Sequence, residues 1–246
     1  MIGSRLVCPE ILDGLDKDDP QARRSRRDLQ RVHRFMGTRS ILRRALLSYG
    51  TEARNGSPLR VLELGAGDGT LMLGFARLVH AVWPPVELTL LDRLDLISPE
   101  TQAGYREVGW QAGAAVFDVL EWAQNAAQRF DLIVANLFLH HFNAAQLRGL
   151  LDSIAACSTG FFACEPRRSR LALLGSHLIG AIGANAVTRA DSVASVRAGF
   201  AGHEIGDLWP SSNGRWTLLE YPAGLFSHCF HARREAGLQV ADDRAN

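Results

Sequence analysis

The segment VLELGAGDGT, residues 61–70, constrains the fold of this chain more than any other stretch. A run of apolar residues with one acid ends in glycines at every second position, Gly65, Gly67 and Gly69. Glycines between a strand and a helix permit a tight turn and a close approach of ligand to backbone, while the helix N-terminus presents free N–H groups. The segment therefore predicts a strand, a turn that contacts a nucleotide-like ligand, and a helix.

Short apolar runs alternate with longer helical patterns from residue 59 onward. Five strands are predicted at LRVLELG, VELTLLD, GAAVFDV, FDLIVANLF and TGFFACEP. Strands separated by helices form right-handed βαβ units, so we expect a parallel sheet with helices on both faces. The later stretch RWTLLEYPAGLFSHCFHARR predicts two strands joined by a Pro-Ala-Gly turn, and hence an antiparallel hairpin at one sheet edge.

Two segments outside this alternation complete the predicted organisation. Residues 1–57 are expected to form a helical cap, with one helix that ends at Gly37 and a second from Ser40 to Ser48. Residues 58–246 form the predicted main domain, with an insertion at about residues 166–214. The insertion contains RSRLALLGSHLIGAIG, which predicts an apolar, glycine-broken helix. We expect it to form a lid over the carboxyl edge of the sheet.

Composition narrows the class of protein. The formal net charge of +1 argues against a global attraction to nucleic acid or to anionic membranes. No window approaches ~18 uninterrupted apolar residues, and the N-terminal stretch has acids where a signal peptide needs an apolar run. The four cysteines show neither CxxC nor another metal-ligand spacing. We therefore expect a cytoplasmic protein with reduced thiols and no metal site.

The glycine spacing separates two classes of nucleotide site. The dinucleotide fingerprint GxGxxG needs its third glycine at the position of Thr70, and no lysine follows as a P-loop requires. Here a GxGxG turn follows Glu63, and acids end the second and third predicted strands at Asp92 and Asp118. Taken singly, either aspartate could be an ordinary helix N-cap. Their placement at successive strand ends favours ligand binding, because a carboxylate can accept two hydrogen bonds from a ribose diol.

This arrangement resembles the motifs of class I S-adenosylmethionine-dependent methyltransferases over roughly residues 59–234. The resemblance implies a Rossmann-like, seven-stranded, mostly parallel sheet and S-adenosylmethionine as the cofactor. It assigns the glycine turn to the methionine moiety, the second-strand acid to the ribose, the third-strand acid and the next N–H to the adenine, and the end of the fourth strand to the side of the cofactor. The residues concerned are Glu63, Gly65, Ala66, Gly67, Asp68, Gly69, Asp92, Arg93, Asp118, Val119, Asn136 and Leu137.

A narrower resemblance covers three segments, RRDLQRVHRFMGTRSILRRAL, VTRADSVASVRAGF and WTLLEYPAGLFSHCFHARR. They resemble small-molecule methyltransferases found with type III polyketide synthases in bacteria. In that group a polar-Arg-x-x-Gly segment closes over the cofactor, and residues 33–37 occupy its place, with His33 where asparagine is expected. The resemblance implies that Arg34 pairs with the carboxylate of the methionine moiety.

His140 and His141 are the candidate catalytic residues. They lie where a small-molecule methyltransferase presents its substrate pocket, and a neutral imidazole there could take a proton from a phenol or enol. The alternative is that LHHF only starts the next helix, because methyl transfer from a sulfonium often needs alignment alone.

The sequence thus predicts methyl transfer to a small molecule, with a hydroxyl of an aromatic or polyketide-like compound as the expected acceptor and a role in secondary metabolism. Three alternatives stay open: an RNA methyltransferase that uses the arginine-rich residues 21–57, a non-catalytic interaction protein with this fold, and an NAD(P)-dependent oxidoreductase. RNA binding is disfavoured, because the arginines are not interleaved with an aromatic stacking platform. The apolar insertion is also compatible with a homodimer surface.

Overall fold

The computed structural model describes residues 3–51, 57–211 and 214–235. Seven strands form one sheet in the order β3-β2-β1-β4-β5-β7-β6. Strands β1 to β5 are parallel, and β7 runs antiparallel to both β5 and β6. The strands are β1 (Leu59–Leu64), β2 (Val86–Asp92), β3 (Trp110–Val116), β4 (Leu132–Asn136), β5 (Gly160–Pro166), β6 (Trp216–Ala223) and β7 (Ser227–Arg234). The predicted Rossmann-like mixed sheet with a C-terminal hairpin is confirmed.

Eight α-helices accompany the sheet in the described ranges. They are α1 (Pro20–Met36), α2 (Thr38–Thr51), α3 (Thr70–Val79), α4 (Pro99–Glu107), α5 (Val119–Gln124), α6 (Ala144–Cys157), α7 (Arg170–Leu178) and α8 (Ala186–Ala198). Helix α1 begins where the Asp19 side chain accepts from the backbone N–H groups of Gln21 and Ala22, and it ends at Gly37 in the left-handed region. None of the described helices has the length and apolar character needed to cross a bilayer.

Three boundaries differ from the sequence prediction. The second cap helix, α2, extends beyond Ser40–Ser48 at both ends. The third strand begins earlier, at Trp110, and stops before Asp118, because the Asp118 side chain caps α5. The hairpin turn follows β6, which still contains Pro222. Proline is tolerated there because β6 is the edge strand, where a missing N–H removes no hydrogen bond to a neighbour on the outer side.

Apolar cores cover both faces of the sheet. Consecutive strand residues point to opposite faces, so Val61 packs with residues of α2 and α3, whereas Leu62 packs with residues of α6. Both residues are almost fully buried. Because both faces are covered, the ligand-accessible part of the sheet is its edge, and the carboxyl ends of β1 to β5 meet there.

The cap and the insertion join above that edge. Ser25 of α1 and Thr188 of α8 are both buried and form a hydrogen bond of 2.6 Å between their hydroxyls. The buried Asp28 carboxylate accepts from the backbone N–H of Asn185 at 2.7 Å. These buried polar contacts hold α1 against the start of α8. The predicted glycine-broken helix is α7, which is followed by a 3-10 turn at Ile179–Ile182.

Candidate functional site

The turn Gly65–Gly69 joins β1 to α3 at the carboxyl edge. Its three glycines, Gly65, Gly67 and Gly69, have positive φ angles of 67°, 56° and 70°. A Cβ on Gly65 would lie 2.2 Å from the Phe138 ring, so packing of that ring requires glycine. A Cβ on Gly67 would meet no atom within 4 Å. The middle of the turn therefore borders an open space that a ligand can enter.

Two aspartates hold the turn in place. Asp92 at the end of β2 accepts from the Gly67 N–H at 2.8 Å and from the Leu94 N–H at 3.0 Å. Asp68 accepts from the Thr70 N–H at 3.0 Å and from the Gln30 side chain at 2.7 Å. Because Gln30 belongs to α1, the turn is tied both to the neighbouring strand and to the cap.

Two adjoining cavities follow the strand ends. The first, here named the turn cavity, has a volume of about 230 Å³ and is lined by the predicted residues Glu63, Gly65, Ala66, Gly67, Asp68, Asp92, Arg93, Asn136, Leu137, His140 and His141. The second, the strand-end cavity, has a volume of about 250 Å³ and is lined by Asp92, Arg93, Phe117, Asp118, Val119, Leu137 and Phe138, among others. The structure thus brings together residues from the ends of four strands.

Two predicted residues lie outside these cavities. Arg34 is exposed on α1 and lines neither of them, whereas His33 and Arg26 of the same helix line the turn cavity. Gly69 caps α3 behind the turn, and its carbonyl accepts from the buried Tyr105 hydroxyl at 2.7 Å. The geometry therefore does not provide the contact expected of Arg34.

Three buried polar atoms of the turn cavity have no hydrogen-bond partner among the described residues. They are Glu63 Oε2, Asn136 Oδ1 and His33 Nδ1. Burial, followed by the charges of Asp68 and Asp92, raises the pKa of Glu63 well above its usual range. Burial also lowers the pKa of His33 to about 4. Buried polar groups are normally paired, so these three atoms are available to a ligand. The unpaired carboxylate oxygen of Glu63, beside Asp68 and Asp92, favours a ligand that carries positive charge.

Leu137 is the one described non-glycine residue with a positive φ angle, 49°. That conformation costs an L-residue about 1–2 kcal/mol. Its N–H donates to the Cys164 carbonyl at 2.9 Å. The strain is tolerated because the surrounding contacts hold the loop, and such strain is common at functional sites. Leu137 lines both the turn cavity and the strand-end cavity.

Glu165, which the sequence analysis missed, holds the loop after β4. Its fully buried carboxylate accepts from the N–H groups of Phe138 and Leu139 at 3.0 and 2.9 Å, and it contacts His140 Nδ1 at 2.8 Å. The signal was present in the sequence, because the apolar run TGFFACEP carries one acid next to its last residue, much as VELTLLD ends with Asp92.

His140 differs from the neutral base that the sequence suggested. It is buried between two carboxylates, with Nδ1 at 2.8 Å from Glu165 and Nε2 at 3.3 Å from Glu10. Burial lowers the pKa of His140, but the hydrogen bonds to Glu10 and Glu165 outweigh it and raise that pKa to about 9. At neutral pH this imidazole is therefore protonated and cannot accept a proton. His141 is partly exposed, and its Nδ1 lies 3.3 Å from Asp13.

The N-terminal segment, residues 10–13, crosses the site. Asp13 accepts from Arg93 at 2.8 Å, and Glu10 accepts from the Ser195 hydroxyl of α8. Asp191 accepts from the N–H groups of Ile11 and Leu12 at 2.7 and 2.9 Å. The segment thus links the strand ends to the insertion, a connection without a local sequence signal.

A third cavity, here named the apolar cavity, lies between α1, α7 and α8. It has a volume of about 110 Å³, and its apolar lining includes Leu29, Val32, Phe35, Met36, Ile179 and Phe226. Glu10, Leu137, Pro166 and Ser195 line both this cavity and the turn cavity. Among the described residues no arginine, lysine or histidine lines it. The two spaces therefore adjoin, one polar and acidic, the other mainly apolar.

Comparisons with known proteins agree with this geometry. A family model described as a methyltransferase domain matches residues 26–231. The plantazolicin methyltransferase BpumL in complex with SAH is similar in structure, with a TM-score of 0.62 and 13% identity over 89% of this chain and 92% of that chain. Magnesium protoporphyrin IX methyltransferase from Synechocystis PCC 6803 gives a TM-score of 0.52 and 15% identity over 91% of both chains. The pyocyanin biosynthetic protein PhzM gives a TM-score of 0.57 and 15% identity over 89% of this chain and 60% of that chain. No curated protein matches this chain.

Proposed function

This chain belongs to the methyltransferase-domain family, and we propose that it transfers a methyl group from S-adenosylmethionine to a hydroxyl of a small aromatic or polyketide-like molecule. The observation on which the proposal rests is the buried Glu63 carboxylate, which is 3% exposed and has one oxygen without a partner in the described ranges. A ligand with an ammonium group and a sulfonium satisfies that oxygen and offsets the neighbouring charges of Asp68 and Asp92.

The residues at the strand ends fit the remaining parts of the same cofactor. Asp92 would hold the ribose hydroxyls, and Asp118 with the N–H of Val119 would hold the adenine. The Asp118 carboxylate also caps α5 through the Leu120 N–H at 2.7 Å, so it is rigid before the ligand arrives. When bound, S-adenosylmethionine supplies an electrophilic methyl group. Several structurally similar proteins have SAM or SAH bound, which supports this assignment.

The charge of the turn cavity argues against a dinucleotide. The pyrophosphate of NAD(P) is an anion, and at this turn it would face the carboxylates of Asp68 and Asp92. The position of the third fingerprint glycine is Thr70. Both features favour a cofactor whose charge at the turn is positive.

The apolar cavity is the proposed acceptor site. It adjoins the turn cavity at Leu137 and Pro166, and α1 and α8 enclose it. Its lining favours an aromatic or polyketide-like molecule over RNA, which needs cationic contacts. Several α1 arginines are engaged within the protein, as shown by Arg23 at 2.6 Å from Asp18 and Arg31 at 3.1 Å from Asp28. Homodimerisation through the exposed leucines of α7 stays a prediction.

Calorimetric titration with S-adenosylhomocysteine tests the proposal, with NADH as the parallel ligand. We expect saturable binding of S-adenosylhomocysteine alone. Asp92→Ala should weaken it more than tenfold (about 1.4 kcal/mol), since both the ribose contact and the Gly67 anchor are lost. His141→Ala should weaken it far less. Asp152→Ala, an exposed acid on α6, is the matched control and should leave the affinity unchanged.

The acceptor is then sought by incubating the protein with S-adenosylmethionine and phenolic or polyketide compounds, with mass spectrometry to detect the added methyl group. Absence of S-adenosylhomocysteine binding by the folded protein, or an equal loss for Asp92→Ala and His141→Ala, contradicts the proposal. Binding of NADH supports the oxidoreductase alternative, and RNA binding that falls steeply with salt supports the RNA alternative.

A further inference from the structure

Three side chains of ligand type meet where the turn cavity and the apolar cavity join. They are Glu10, His140 and His141, and one ligand atom from each lies within 4.8 Å of the others. Glu10 lines both cavities, and the two histidines line the turn cavity. Glu10 and His140 are 130 residues apart in the sequence. The cluster therefore forms only when the N-terminal segment docks beside β4.

Each histidine has a carboxylate at its Nδ1 atom. Glu165 lies 2.8 Å from Nδ1 of His140, and Asp13 lies 3.3 Å from Nδ1 of His141. Histidines that bind metals commonly donate their other ring N–H to a carboxylate, which fixes the tautomer and orients the ring. Glu10 is itself hydrogen-bonded by the Ser195 hydroxyl, as ligating carboxylates usually are. The outer partners of a metal site are thus already in place.

The distance between Glu10 Oε1 and His140 Nε2 also fits a metal site. It is 3.3 Å, whereas a charge-assisted N–H···O hydrogen bond is typically about 2.7–2.9 Å. Two ligand atoms at about 2.0–2.1 Å from a tetrahedral zinc ion lie roughly 3.3–3.4 Å apart. Two imidazoles and one carboxylate suit first-row transition ions, whereas magnesium and calcium prefer oxygen ligands alone. Three protein ligands leave one position for a further ligand.

We propose that Glu10, His140 and His141 bind a divalent first-row transition-metal ion, with zinc as the reference ion, and that the ion coordinates the acceptor hydroxyl. The ion replaces the proton that His140 Nε2 holds toward Glu10 in the metal-free protein, and this proton is released to water. The second part rests on the proposed function. Coordination makes the hydroxyl more acidic, so its proton leaves to water. The oxygen lone pair forms the new O–CH₃ bond, and the S–CH₃ bond breaks with its electron pair remaining on sulfur. The sequence analysis expected no metal site, because these ligands come from distant parts of the chain and show no metal-ligand spacing.

The test is a titration of chelator-treated full-length protein with ZnCl₂, without S-adenosylmethionine. We expect one ion to bind per chain, CoCl₂ to give a visible absorption band, and MgCl₂ to give no saturable binding. His141→Ala should weaken zinc binding by at least about tenfold, by the scale of losses at metal sites. His80→Ala, an exposed histidine at the end of α3, is the matched control and should retain wild-type affinity. Circular dichroism verifies that both variants are folded.

Failure of the folded wild-type protein to bind zinc or cobalt overturns the site. Equal weakening by His141→Ala and His80→Ala overturns it too, because it indicates adventitious surface binding. Titration of the same metal-free protein with S-adenosylhomocysteine separates the two proposals. Binding of S-adenosylhomocysteine without zinc leaves methyl transfer supported and rejects the metal, whereas zinc binding without S-adenosylhomocysteine rejects only the cofactor assignment.

Discussion

Replacement of Glu63 by glutamine is expected to stabilise the cofactor-free protein and to weaken its affinity for the cofactor. The Glu63 side chain is 3% exposed, and one carboxylate oxygen has no partner in the described part of the chain. Burial and the nearby Asp68 and Asp92 raise its pKa well above the usual value of 4.5. Glutamine keeps the shape of the side chain and removes the ionisable group, so the Glu63→Gln variant isolates the effect of charge.

The sign of the pH dependence follows from that raised pKa. Above about pH 4.5 the unfolded chain loses the proton that the folded protein retains, so the stability cost of Glu63 grows with pH until the folded pKa is passed. An unsatisfied buried polar group costs about 1–3 kcal/mol. Each kcal/mol shifts the melting temperature of a protein of this size by about 2–4 °C. The Glu63→Gln protein should therefore melt about 2–12 °C above wild type near pH 8, with a smaller difference near pH 5.

Thermal unfolding followed by circular dichroism across this pH range measures the stability effect. Calorimetry with S-adenosylhomocysteine measures the affinity, which should fall about 10- to 150-fold for a lost charged hydrogen bond of about 1.5–3 kcal/mol. Glu87→Gln, at an exposed acid of β2, is the matched control and should change neither quantity. The reasoning is refuted if Glu63→Gln melts at or below wild type near pH 8, or if its affinity is unchanged.

Three further perturbations test the site. Gly67→Ala should cost about 1–2 kcal/mol in denaturant unfolding, because alanine is strained at a φ of 56°, and should abolish S-adenosylhomocysteine binding. Gly65→Ala should cost more, since its Cβ would lie 2.2 Å from the Phe138 ring; equal costs contradict this packing. The pKa of His33 is about 4 in the folded protein against its usual 6.5, so the free energy of unfolding should fall as the pH drops between these values. In urea unfolding, the His33→Asn variant should show a smaller fall over the same pH range. Glu165→Gln should cost roughly 1–3 kcal/mol and speed hydrogen exchange of residues 138–140; unchanged exchange argues against its role in the loop.

Much of the fold could be predicted because its signals are local. A φ of 67° at Gly65 or 56° at Gly67 is a backbone conformation that glycine adopts readily, so the turn is encoded at the turn itself. Strands β1, β4 and β5 are buried on both faces, so each appears in the sequence as a short apolar run. Strand β3 was predicted with the wrong bounds, because it is an edge strand with mostly exposed or half-buried residues and lacks a clear apolar pattern.

Single residues at the site were harder to assign. The sequence left open whether Asp118 caps a helix or contacts a ligand, and in the structure it caps α5 and also lines the strand-end cavity. Arg34 has the right spacing for a cofactor contact, yet it is exposed, and His33 of the same helix faces the turn cavity. The rotation of α1 about its axis decides this, and that rotation depends on how the helix docks against α8 and the glycine turn.

The sequence by itself determined the order of strands and helices, the glycine turn and the acids at the strand ends, because backbone conformation and apolar periodicity are properties of neighbouring residues. Only the tertiary structure decided the partners of His140. Its ring lies between Glu10 and Glu165, which come from the N-terminal segment and from β5. Those contacts depend on the docking of segments far apart in the chain, and they turned a candidate base into a protonated residue held between carboxylates.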